Sequence, residues 1–240
     1  APTGSGKTFA AFLSCIDRLF TQALARELGD HTQVLYVSPL KALSNDIQKN
    51  LQQPLAEIGS VALSAGLLMP ELRVLVRTGD TPMAERQQML KCPPHILVTT
   101  PESLYILLTA EKSRRLLQTI RTVIVDEIHA VAPNKRGAHL ALSLERLEAL
   151  TLTKPQRIGL SATQRPIETI AQFLVGNREP SACTPSPLTV PCTIIDVGHK
   201  REMDLAVEVP KDELSAVATN AIWADVYDRI ADLVRQHRSI

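Results

Sequence analysis

The sequence predicts an α/β fold in which a parallel β-sheet is flanked by helices. Three observations carry that expectation. Short apolar runs alternate with longer segments whose apolar residues recur every three or four positions, the pattern of strands interleaved with helices. Polar motifs follow directly on the apolar runs, and ligands of open parallel sheets bind at the strands' carboxyl ends. The chain opens on Ala1-Pro2-Thr3-Gly4-Ser5-Gly6-Lys7-Thr8, which fits the phosphate loop G-x-x-x-x-G-K-[ST] except that Ala1 holds its first position.

Taken in order, residues 8–28 carry Phe9, Phe12, Leu13, Ile16, Phe20 and Leu24 at helical spacing, the helix expected after a phosphate loop. Val34-Leu35-Tyr36-Val37 reads as a buried strand and residues 40–58 as a helix. Strands are expected at 73–76, 96–98 and 122–125, the last running into carboxylates. A helix over 140–150, a strand over 157–160 and a helix over 167–173 follow. Residues 176–191 hold Pro180, Pro185, Pro187 and Pro191 and read as a domain edge or connection. Strand-like stretches at 193–197 and 205–209 precede a final helix, 220–237, with Ile222, Val226, Ile230 and Leu233 on one stripe. A phosphate loop ordinarily follows a buried strand. With the loop at residue 1, the chain is expected to be part of something longer.

Composition sets wide bounds. The 240 residues suffice for one large or two modest domains, and 45% hydrophobic with 21% charged residues is ordinary for a soluble globular protein. A net charge of +1 is silent on nucleic acid, since a neutral protein can carry a basic groove. Aromatic content of 3% argues against base-stacking platforms as the main binding device. Cys15, Cys92, Cys183 and Cys192 form no Cys-x-x-Cys pair, which argues against a zinc site and fits reduced cytosolic thiols. The 240 residues hold no run of 18 apolar residues, and no signal-peptide pattern is read in them.

The motifs point to nucleotide chemistry. In the loop Thr3-Gly4-Ser5-Gly6-Lys7-Thr8, small residues let backbone N–H groups turn inward around a polyphosphate, at a helix N-terminus whose dipole favours anions. Lys7 would reach the β- and γ-phosphates of ATP, and the Thr8 hydroxyl would meet Mg²⁺. Asp126-Glu127-Ile128-His129 closes an apolar strand. Asp126 is assigned to Mg²⁺, partly through water, and Glu127 to the base that activates the attacking water. Ser161-Ala162-Thr163 follows the next strand, where its hydroxyls can bond the carboxylates or His129; by itself it is equally a helix N-cap run.

Gly-Ser-Gly-Lys-Thr, Asp-Glu-Ile-His and Ser-Ala-Thr, in this order and spacing, resemble motifs I, II and III of superfamily 2 helicases. Tyr36-Val-Ser-Pro-Leu-Lys-Ala-Leu-Ser-Asn-Asp46, Val76-Arg-Thr-Gly-Asp-Thr-Pro82, Leu97-Val-Thr-Thr-Pro-Glu-Ser-Leu104, Lys135-Arg-Gly-Ala-His-Leu140 and Leu205-Ala-Val-Glu-Val-Pro210 narrow the resemblance to the Lhr (large helicase-related) family of ATP-dependent 3′-to-5′ DNA helicases. Asp-Glu-Ile-His departs from the Asp-Glu-Ala-Asp of DEAD-box RNA helicases.

That resemblance implies a RecA-like P-loop NTPase domain over 1–180, a connection over 181–210 and the start of a second RecA-like domain over 211–240. It implies a grip on single-stranded or tailed-duplex DNA, or an RNA–DNA hybrid, through Ser38, Pro39, Leu40 and Lys41, through Thr78, Gly79 and Asp80, and through Thr100, Pro101, Glu102 and Ser103. Backbone N–H groups, hydroxyls and helix N-termini at such loops bind phosphates without reading sequence. Ser38-Pro39 is also a plausible helix start, residues 78–80 a plain tight turn, and Lys135-Arg136 an ordinary solvated pair. The resemblance makes His129 catalytic, linking nucleotide state to Ser161 and Thr163. It implies a cytoplasmic protein working in DNA repair, away from membranes. It also implies weak ATP hydrolysis by residues 1–240 alone, because the second domain supplies arginine fingers. An RNA helicase, a P-loop ATPase that remodels protein complexes, and a regulatory nucleotide-binding module are the competing readings, the last disfavoured by the intact Asp126 and Glu127.

Overall fold

The structure, a computed structural model, describes residues 6–39, 41–67, 71–162, 166–176, 192–196, 208–209 and 220–236. Among these, β1 (Val34–Val37), β2 (Val74–Arg77), β3 (Ile96–Thr99), β4 (Thr122–Val125) and β5 (Gln156–Gly159) form one all-parallel sheet in the order β2-β3-β1-β4-β5. Parallel neighbours need crossover connections, and helices supply them. α1 (Lys7–Leu24) leads into β1, and α2 (Lys41–Ser64) joins β1 to β2. α3 (Met83–Lys91) joins β2 to β3, and α4 (Pro101–Thr109) and α5 (Glu111–Leu117) join β3 to β4. α6 (Ile128–Val131) and α7 (Lys135–Leu150) join β4 to β5, and α8 (Ile167–Val175) follows. The chain divides into compact units 1–199 and 200–240, and α9 (Asn220–Gln236) lies in the second.

Alternation along β1 explains why the sheet needs helices on both faces. Val34 and Tyr36 join a cluster with Phe12, Ile16 and Leu19 of α1, whereas Leu35 and Val37 join one with Leu104, Leu140 and Leu144 of α4 and α7. A strand covered on both faces is apolar at every position, and all four residues of β1, β3 and β4 are buried. Each such Leu or Ile contributes roughly 1.5–3 kcal/mol over an exposed one. The edge strand β5 is only partly covered. It is held by Arg157, whose side chain is 7% exposed, ion-pairs at 2.8 Å with both Glu145 and Glu148 of α7 and donates to the Leu174 carbonyl of α8 at 3.1 Å.

Boundaries depart from expectation for local reasons. α1 stops at Leu24 because Arg26 takes a left-handed φ of 59°. The Glu27 N–H then bonds the Gln22 carbonyl and the Arg26 N–H that of Ala23, the double bond of a Schellman stop in which arginine stands where glycine is usual. α2 runs past residue 58 to a stop of the same kind that does use a glycine, Gly66 at φ 77°. α7 starts at Lys135, because the Asn134 side chain accepts from the Arg136 and Gly137 N–H groups. Its Gly137 is demanded by close packing, since a Cβ there would sit 2.5 Å from the Val131 carbonyl oxygen of α6.

Within α1 the buried stripe is Phe12, Cys15, Ile16, Leu19 and Phe20, and Phe9, Leu13 and Leu24 are about half exposed. Leu13 and Leu24 lie roughly 100–120° around the helix from Phe12, at the stripe's edge. Phe9 belongs to the turn before the first core contact. Residues 193–196 form no strand; position 197 and residues 205–207 lie outside the described residues, and 208–209 are not in a strand.

Candidate nucleotide site and strand-end surface

Register places the motifs before any side chain does. Val37 pairs across the sheet with Thr99 and Val125, Arg77 with Thr99, and Val125 with Gly159. Ser38, Thr78, Thr100, Asp126 and Leu160 are the next residues of their segments, so five connections leave the sheet in one row. Hydrogen bonds hold that row together: Ser38 N–H to the Thr99 carbonyl and Asp126 N–H to that of Val37, each at 2.9 Å, and Ile128 N–H to that of Leu160 at 3.1 Å.

Gly6, at φ 77°, turns the chain into α1, so Lys7 and Thr8 occupy the helix's first turn. That turn holds no acidic residue, which leaves the positive end of the dipole open to an anion. Thr3, Gly4 and Ser5 lie outside the described residues.

Asp126 is 5% exposed. Its Oδ1 accepts from the Glu127 N–H at 2.9 Å and its Oδ2 from the Tyr36 hydroxyl, and no Lys, Arg or His of the described residues pairs with it. A buried carboxylate is stabilised by a positive partner, so the site suits a cation. The described residues hold no cluster of three or more metal-ligating side chains. Mg²⁺ takes one or two carboxylates and completes its shell with water and substrate phosphate. Tyr36 stacks on Phe12 with ring centroids 4.8 Å apart. Burial, then the charge and hydrogen bond of Asp126, push the Tyr36 phenol far above its ordinary range.

Glu127 stands at φ 43°, ψ 41°, a left-handed conformation that non-glycine residues adopt at a cost and mostly where function demands it. Its Oε2 is 3.3 Å from His129 Nδ1. The same nitrogen is 3.3 Å from Ser161 Oγ and from the Ala162 N–H. A lone pair on Nδ1 accepts from Ala162, whereas a proton there serves Glu127; one nitrogen cannot do both at once. His129 therefore joins the Asp-Glu loop to the Ser-Ala-Thr loop, and its proton decides which it favours. Thr163 lies outside the described residues.

The three expected strand-binding loops are largely inward-facing. Ser38, Pro39, Thr78, Thr100, Pro101 and Ser103 are buried, and their side chains shape the turns: Thr100 caps α4 by accepting from the Ser103 N–H, and Thr78 N–H donates to Thr81 Oγ1. Leu40 lies outside the described residues, and Lys41 opens α2. Gly79, Asp80 and Glu102 are exposed.

Arg77 and Arg86, to which sequence reasoning gave no role, and Arg136, which it read as half of an ordinary solvated pair, complete this surface. Arg77 Nη1 donates to the Thr78 carbonyl, and Arg86 donates to those of Thr81 and Gly79 at 2.6 and 2.7 Å. Burial and the neighbouring Arg86 charge lower the pKa of Arg77 from its ordinary value. Arg136 donates to Glu102 Oε1 at 2.7 Å and to the Pro39 carbonyl at 2.8 Å, tying two loops together. Burial alone would raise the Glu102 carboxyl, but bonds from Arg136, its own backbone and Thr100 outweigh it and hold the group below the usual range. The only sequence signal was the recurrence of arginine beside these motifs.

Residues 1–171 match the DEAD/DEAH box helicase family. Over 239 residues, all of this chain, the sequence is 52% identical to the Lhr helicase/probable uracil glycosylase of Mycolicibacterium smegmatis and 49% identical to the ATP-dependent helicase Lhr-Core of Methanothermobacter thermautotrophicus. The chain spans 15% and 27% of those two proteins. The solved structure of Mycobacterium smegmatis helicase Lhr bound to ssDNA and AMP-PNP superposes with a TM-score of 0.77 at 50% identity, covering all of this chain and 28% of that one.

Proposed function

This chain belongs to the DEAD/DEAH box helicase family and, within it, to the Lhr helicases, and on that premise we propose that it is the ATP-binding motor domain of a 3′-to-5′ DNA helicase. The observation that carries the reading is the single row of strand ends that brings Asp126, Glu127, His129 and Ser161 beside the loops led by Ser38, Thr78 and Thr100. Residues 1–180 are read as the first RecA-like domain, 181–210 as a connection and 211–240 as the beginning of a second.

In this reading Lys7, with Thr3 to Thr8, binds the phosphates of ATP. Thr8 and Asp126 hold Mg²⁺, partly through water. The bound ion would offset the charge of the phosphate oxygens. Glu127 takes the proton of the attacking water, a role suited to an ionised carboxylate fixed by its backbone. His129 passes the state of that site to Ser161 and Thr163.

Ser38 to Lys41, Thr78 to Asp80 and Thr100 to Ser103 present a single strand with backbone N–H groups and the N-termini of α2 and α4. The carboxylates of Asp80 and Glu102 would repel phosphate, so the positive charge comes from Arg77, Arg86 and Arg136 around them. Closure of two motor domains on ATP and reopening after hydrolysis would move the protein along its strand. No helix among the described residues is long and apolar enough to cross a membrane. We place the protein in the cytoplasm, in DNA repair, a setting supported by relatives whose names join helicase to uracil glycosylase.

The test uses the full-length protein and matched DNA, RNA and hybrid duplexes with 3′ tails. Single-stranded DNA should stimulate ATP hydrolysis, and tailed DNA should be unwound with ATP and Mg²⁺. ATPase activity indifferent to any strand would favour a protein-remodelling ATPase, and unwinding confined to RNA would overturn the DNA assignment.

A further inference from the structure

We propose that Tyr36 is a positioning residue for the metal–nucleotide site: its hydroxyl orients the Asp126 carboxylate assigned to the ion. The inference rests on the assignment of Thr8 and Asp126 to Mg²⁺ given above.

Tyr36 is the third residue of β1 and faces the α1 side of the sheet among Phe12, Ile16 and Leu19. It has no exposed surface. Packing there needs only the ring, which lies nearly parallel to that of Phe12, at 25°. Phenylalanine would fill the same space without bringing a polar group that must be satisfied in the core. The hydroxyl is the feature that packing does not explain, and its partner Asp126 belongs to the carboxylate motif.

A phenol has one proton to give and lone pairs to receive. An ionised carboxylate can only accept, so the proton goes to Asp126 Oδ2. Asp126 is thereby engaged once on each oxygen, by Tyr36 on Oδ2 and by the Glu127 N–H on Oδ1. Its plane is fixed and one acceptor position on each oxygen stays available to water around an ion. Groups that orient a metal ligand in this way commonly govern metal affinity while touching neither metal nor substrate.

Tyr36→Phe in the full-length protein removes the hydroxyl and keeps the ring. Mn²⁺ serves as the probe, its free concentration followed by electron paramagnetic resonance with AMP-PNP present. Affinity should fall about 10–100-fold. Fluorescent-nucleotide binding in EDTA should stay at the wild-type level, and the Mg²⁺ concentration giving half-maximal ATPase should rise while the rate at saturating Mg²⁺ recovers.

Unchanged Mn²⁺ affinity would overturn the proposal, as would a loss of nucleotide binding in EDTA that matched the loss of Mn²⁺, since that is what a merely structural role produces. Asp126→Ala separates the two layers. If it leaves Mn²⁺ affinity intact, the metal assignment itself fails. If it abolishes Mn²⁺ binding while Tyr36→Phe changes nothing, the fault lies with Tyr36 alone. Should Tyr36→Phe fold poorly, the cycle with Asp126→Asn decides at low temperature: losses smaller than additive mean that Tyr36 acts through Asp126, and additive losses refute it.

Discussion

Glu127→Gln in the full-length protein should lower steady-state ATP turnover by roughly 10²–10⁴-fold, the usual worth of a positioned general base, and leave ATP affinity within a few-fold of wild type. Glutamine keeps the side-chain length and an acceptor oxygen for His129. It loses the capacity to hold the proton that leaves water. Because the loss falls on the reacting step, kcat drops with little change in KM. Phosphate release under saturating Mg²⁺-ATP, beside equilibrium binding of a fluorescent ATP analogue, measures the two effects separately. Full activity in this variant would mean that the base is another group.

Lys7→Ala should act on binding and turnover together. Lys7 stands in the first turn of α1, where the helix dipole already favours a phosphate but supplies only about half a charge. The ammonium adds a full charge at the β- and γ-phosphates, whose negative charge shifts as the terminal bond breaks. Its removal should raise KM and lower kcat, with kcat/KM falling roughly 10²–10³-fold or more, the scale seen when a preorganised electrostatic contact is deleted. The contrast with Glu127→Gln is diagnostic, because one variant binds nucleotide and stalls whereas the other scarcely binds. Equal nucleotide affinity in Lys7→Ala and wild type would remove Lys7 from the site.

Much of the fold was legible because its signals are local. Short runs rich in apolar residues marked all five strands of the sheet, with β2 and β5 displaced by a single position and β3 one residue longer than the expected 96–98. The Asp126–Glu127 pair was legible because it follows such a run. Signals from unusual residues were not. Arg26 ends α1 in a conformation that the sequence advertises only when glycine is present. The polar Lys135-Arg136-Gly137 start of α7 hid the first turn of that helix, although Asn134 was there to cap it. Tyr36 read as one more apolar position in β1, since the partner that gives its hydroxyl meaning, Asp126, lies 90 residues away in the chain. Arg136 read as a solvated charge for the same reason: Glu102 and Pro39 reach it only through the fold.

The backbone at Glu127 sets conformational preference against chemistry. A left-handed residue costs about 1–2 kcal/mol unless it is glycine, with asparagine the next most tolerant. Both alternatives relieve that cost and both delete the longer carboxylate. A library of position-127 variants ranked by melting temperature should therefore promote glycine and asparagine and demote the native residue, so heat tolerance used as the sole filter would enrich inert proteins.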